Sequence, residues 1–164
     1  NQSGKEVDYQ KQYFVVIRQD KSSTLQVMPS YLSTYVTEFN YLFHQIQKCA
    51  VIESVDDTNY IAFYSFANNA RKFLEIYLYY RYPDQGMNKS TLGKFFGEGS
   101  IPAVLTDRIN NEYSHLSGVF ERGATPIEVP EMQTAARRII ERLKQDSEQF
   151  SSLMKSVGES SDNL

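Results

Sequence analysis

Residues 31–52 read YLSTYVTEFNYLFHQIQKCAVI, and their spacing decides the fold class. Leu32, Tyr35, Val36, Phe39, Leu42, Phe43, Ile46 and Ala50 recur at steps of three and four. That period marks one apolar face on an α-helix of about six turns. The same period returns downstream. After a polar break over residues 53–59, Phe63, Phe66, Ala70, Phe73, Leu74, Tyr77 and Leu78 outline a second helix over about 60–82. Pro83-Asp-Gln-Gly86 stops it, because proline cannot continue the ladder and glycine relaxes the backbone. Residues 90–96 suit a short capped helix, and 97–100 (GEGS) a hinge. Ile101-Pro102 opens a third long helix to about residue 116 or 118, with proline tolerated in the first turn. Residues 121–130 contain a glycine and two prolines and read as a loop. Met132, Ala135, Ile139, Leu143, Phe150, Leu153 and Val157 then form one long stripe, predicting a last helix over about 131–157.

Upstream, Tyr13-Phe-Val-Val-Ile17 and Thr24-Leu-Gln-Val-Met28 flank a polar turn and read as a hairpin. Two strands are marginal alone, so this hairpin completes a sheet of other sequence or covers one end of the bundle. The expectation is a mainly α protein: a helical bundle of about four to five helices with a small N-terminal β-hairpin.

Composition limits the function classes. The chain has 164 residues, 41% apolar and 23% charged, enough for one domain with a core. No run approaches the ~18 apolar residues of a membrane span, and no signal-peptide core opens the chain. The absent initiator Met suggests a piece of a longer protein. A lone cysteine, Cys49, cannot close an internal disulfide, and cytoplasmic localisation is the expectation. The net charge of -3 lacks the basic bias of a protein that coats a polyanion, though a small RNA site remains open. Twelve Tyr, ten Phe and no Trp suit helix faces that are packed and half-buried. There is no G-x-x-x-x-G-K-[ST] loop, no H-E-x-x-H and no C-x-x-C. This chain is therefore expected to hold no phosphate loop, no metal and no cofactor of its own.

One constellation stands out: Arg108-Ile-Asn-Asn-Glu-Tyr-Ser-His115 on the third long helix. Seven residues are two turns less about 20°, so Arg108 and His115 share a face about 10 Å apart along the axis. Asn111 and Glu112 lie between them. In one reading these groups tie the helix to its neighbours. In the other, Arg108 holds a phosphate as a bidentate donor and His115 acts as acid or base on a ribose oxygen, with Glu112 in support. Arg71 and Glu75 stand one turn apart on the second helix and read as a weak solvated pair. Were that helix packed beside the Arg108 helix, Glu75 would orient Arg108 or His115. Asn111, Glu75 and Arg71 are weaker candidates for RNA or partner contact. His44 reads as structural, and Arg138 and Arg142, with Glu141 between, as a solvated face.

The order of these motifs resembles a known family. Tyr31-Leu-x-x-Tyr35, Thr37-Glu-Phe-Asn-Tyr-Leu-Phe43, Asn69-Ala-Arg-Lys-Phe-Leu-Glu-Ile-Tyr-Leu78 with Arg81-Tyr-Pro83, Arg108-Ile-Asn, Ser114-His115, and Asp146 with Phe150 together are similar to the C-terminal region of prokaryotic defence ATPases. These have heads of the SMC and ABC type, and include the anticodon nucleases PrrC and RloC and the Septu ATPase PtuA. The resemblance spans about residues 13–155. It implies that 1–30 are trailing strands of an upstream ATPase head, that 31–157 are a C-terminal bundle, and that 158–164 are a flexible tail. ATP and Mg would belong to that head. It implies a role in antiviral defence, with the module docking or regulating a nuclease and mediating assembly as a homo-oligomer. The Arg-x6-His spacing also resembles HEPN domains, helical dimers that cut RNA without metal. That implies an alternative, a metal-independent RNase acting on tRNA through Arg108 and His115. In this chain Asn110 lies one position later than the asparagine that most often follows the arginine.

Overall fold

Thr37 starts the first helix, since its hydroxyl accepts the Asn40 N–H at 3.2 Å and satisfies one of the orphan donors of a helix N-terminus. The resulting helix, α1, runs Glu38–Val51, with Glu38 placed where a carboxylate suits the dipole. This start is later than the spacing from Tyr31 implies. Val36 is 82% exposed, so the buried face is interrupted just before Thr37; Tyr31 and Leu32 lie outside the described residues. The computed structural model describes residues 13–30, 34–97, 99–110 and 128–159.

Five more α-helices follow among the described residues: α2 (Phe66–Arg81), α3 (Lys89–Phe96), α4 (Ala103–Asn110), α5 (Val129–Lys144) and α6 (Ser147–Ser156). The expected second helix is divided, because Tyr60–Phe63 forms a separate 3-10 turn closed by the Tyr64 N–H on the Ile61 carbonyl at 3.2 Å. Asn88 caps α3 by a reciprocal pair of bonds with Thr91, and Gly97 ends it at φ 93°, a conformation that disfavours any side chain. Pro130 belongs to the first turn of α5 rather than to a loop. The last stripe is two helices, not one. Asp146 falls on the stripe three residues after Leu143, where a carboxylate is costly to bury. Its oxygen instead accepts the Gln149 N–H at 3.1 Å and starts α6, which buries Phe150, Leu153 and Met154.

The division of the chain falls between Val36 and Thr37. In the helical unit, α5 touches α1, α2, α3, α4, α6 and the 3-10 turn. Its buried residues are Met132, Ala135, Ala136, Ile139, Ile140 and Leu143. Phenylalanine supplies most of the aromatic core: Phe73 stacks on Phe39 with centroids 4.8 Å apart, and Phe43 meets Phe150 edge-on at 6.2 Å. Tyrosine is divided, with Tyr77 buried and Tyr64, Tyr79 and Tyr80 exposed.

In the N-terminal unit, β1 (Phe14–Gln19) pairs antiparallel with β2 (Ser22–Val27). Phe14 opposes Val27 and Val16 opposes Leu25, so these four share one face. They are 48%, 60%, 65% and 66% exposed for Phe14, Val27, Val16 and Leu25. Among the described residues, no helix is long and apolar enough to cross a membrane.

Phe73→Ala removes a fully buried ring from the α1–α2 contact and should cost about 3–5 kcal/mol, read as a lower midpoint in urea unfolding. A second test concerns His44 on α1, 3.8 Å from Glu159. Burial, with Lys48, holds its pKa below the ordinary 6.5, against the pull of Glu159. Between the lowered value and 6.5 the unfolded chain binds the proton and the folded chain does not, so stability falls as pH drops through that window. Thermal midpoints from pH 7 to 5 should fall less for His44→Gln than for the unaltered chain.

Candidate functional site

The sequence of α2 separates its two sides. Phe66, Ala70, Phe73, Leu74, Tyr77 and Leu78 are buried. Arg71 and Glu75 stay half-exposed, one turn apart, with Nη2 and Oε1 at 3.6 Å. A pair at that exposure contributes about 0.5 kcal/mol or less, so it is a poor account of stability. Next to it Lys72 reaches Glu38 at the start of α1, at 3.1 Å. One turn before, Asn69 is buried, and its amide donates to the Ser65 hydroxyl at 3.2 Å.

α2 packs against α4, and Arg108 lies in the last turn of α4. The Arg71–Glu75 pair and Arg108 thus belong to neighbouring helices, the packing on which the role of Glu75 depended. Asn111, Glu112 and His115 lie outside the described residues, and so does the side chain of Arg108. A guanidinium beside a half-exposed carboxylate can hold a phosphate and leave an oxygen available as a base.

Cys49 is buried and its thiol donates to the Ala62 carbonyl at 3.6 Å. Burial pushes its thiol up to about 11, which suppresses the reactive thiolate near neutral pH. Among the described residues, no group of three His, Cys, Asp or Glu could hold a metal ion.

Three arginines of α5 do more than line a solvated face. Arg137 donates from Nε to the Ala50 carbonyl at 3.2 Å and from Nη2 to Ile52 at 2.8 Å. Arg138 donates to the Ser100 carbonyl at 3.0 Å, and Arg142 to that of Phe95. Cations here satisfy carbonyls at the ends of α1 and α3 and in the loop at Ser100. Arg142 also joins Arg81 and Lys94 around one cleft. The numbers 81, 94 and 142 share no period, so no motif in the sequence announces this convergence.

No curated protein and no solved structure matches the chain. The family model AAA_13, an AAA domain, matches residues 1–141. The chain belongs to this AAA domain family.

Proposed function

We propose that this chain is the helical output module of a prokaryotic anti-phage ATPase, of the SMC and ABC-headed kind, and that it docks or regulates a nuclease and mediates assembly. One observation carries this reading. A chain of the AAA domain family, matched over residues 1–141, has no phosphate-binding loop and comprises a helical unit and a separate two-stranded ribbon. A nucleotide-binding head in the same protein supplies ATP and Mg in this reading, and the hairpin completes its sheet. The apolar face of Phe14, Val16, Leu25 and Val27 is the side that a layer packed on that completed sheet would cover. Deleting residues 101–157 from the full-length protein should abolish its self-assembly in size-exclusion chromatography and uncouple its ATPase response. Unchanged assembly and ATPase would overturn the reading.

A second reading is favoured by the packing of the Arg71–Glu75 helix against the Arg108 helix. Here the module is itself a metal-independent RNase acting on tRNA. Arg71 and Arg108 hold the phosphate, Glu75 orients a cation or accepts a proton, and His115 acts on the ribose oxygen or leaving group. His115→Ala and Glu75→Gln should each remove tRNA cleavage. Because the Arg71–Glu75 pair is weak, Glu75→Gln should shift the melting temperature by less than about 2 °C. Full cleavage by His115→Ala, or cleavage that stops with a chelator, would assign the cutting to a partner nuclease.

A further inference from the structure

The end of α2, the last turn of α3 and the α5–α6 break enclose a cleft of about 520 Å³, a size ordinary for small-molecule sites. The Arg71–Glu75 pair is not part of it. Arg81, Lys94 and Arg142 line it from three different helices, and none of the three forms an ion pair among the described residues.

Neutral groups hold these cations in place. Arg81 Nη1 donates to the Tyr77 hydroxyl at 3.2 Å. The Lys94 ammonium sits 4.9 Å above the Tyr82 ring and reaches Gln85 Oε1 at 3.4 Å. The Nε of Arg142 donates to the Phe95 carbonyl. Such partners orient the cations without neutralising them, and with Asp146 and Glu148 also on the lining the cleft keeps a formal excess of one positive charge. Both guanidiniums keep donors in a fixed fork suited to phosphate oxygens. Asp146 and Glu148 also border the cleft. Asp146 is engaged with the Gln149 N–H, and Glu148 lies exposed in the first turn of α6.

We propose that this cleft binds an oligophosphate group, the di- or triphosphate of a nucleotide or its inorganic counterpart. Three cations on three helices exceed what one singly charged group needs, whereas linked phosphates place several anionic oxygens across the cleft at once. The two carboxylates fit the same ligand, because Mg²⁺ is commonly held through one or two carboxylates together with ligand phosphates. This site uses no residue of the RNase reading and stands whether or not that reading holds.

Isothermal titration of the chain in Mg²⁺ buffer, with orthophosphate, pyrophosphate, tripolyphosphate and ADP in turn, tests the proposal. Pyrophosphate and tripolyphosphate should bind one site about tenfold or more tighter than orthophosphate. Lys94→Gln and Arg81→Gln, both at exposed positions, should each weaken binding about tenfold while the thermal unfolding transition stays in place. ADP binding equal to pyrophosphate identifies the phosphates alone as the ligand. Tighter ADP binding that is lost in Lys94→Gln identifies a nucleotide. Absence of saturable binding by every probe, or binding undiminished in both variants, would overturn the site.

Discussion

Burial of one face of α5 is the constraint on which the helical unit depends. Ala135, Ala136, Ile139 and Leu143 are all but inaccessible, and α1, α2, α3, α4 and α6 each contact this helix. Its polar flank is equally committed. Arg137, Arg138 and Arg142 donate to carbonyls at Ala50, Ile52, Ser100 and Phe95, and Gln133 also donates to Ile52. A single element thus contributes to the core and satisfies backbone acceptors at two helix ends and in the loop at Ser100. The small Ala135 and Ala136 allow close approach, while the arginines on the flank set position along the axis.

Much of this was legible because the apolar period of three and four is enforced by burial. Every residue named for the second helix, from Phe63 to Leu78, is buried, as are Leu42, Phe43 and Ile46 of the first. Boundaries were harder to read, since caps rather than periodicity decide them. Thr37 and Asp146 each offer a side-chain oxygen to a backbone N–H three residues on, and each starts a helix where the apolar stripe alone implies continuity. Asp146 was visible as a carboxylate on the stripe between Leu143 and Phe150. That irregularity was the signal for the break.

The sites divide in the same way. Arg71 and Glu75 are local neighbours, so one turn of helix brings them together. Their relation to the Arg108 helix needed tertiary packing, which spacing along a chain does not encode. The cleft of Arg81, Lys94 and Arg142 lies further from sequence reading still. Arg142 reads from spacing as part of a solvated face, and it acquires an orientation only by donating to the Phe95 carbonyl on another helix. Membership in an AAA domain family adds context for nucleotide chemistry, while the residues that would carry chemistry in this chain sit on helices rather than on a phosphate loop.

The place of α5 late in the chain has a consequence for biosynthesis. α1 finds one of its main packing partners some ninety residues downstream, so during translation the core residues of α1 and α2 emerge from the ribosome well before α5 and α6, which complete the core. The nascent polypeptide therefore passes through a long interval with sticky, incompletely shielded surface, when chaperone capture and premature aggregation compete with native docking. Synonymous changes that slow elongation between the codons for α2 and α5 lengthen that interval, and would alter yield without altering a single amino acid.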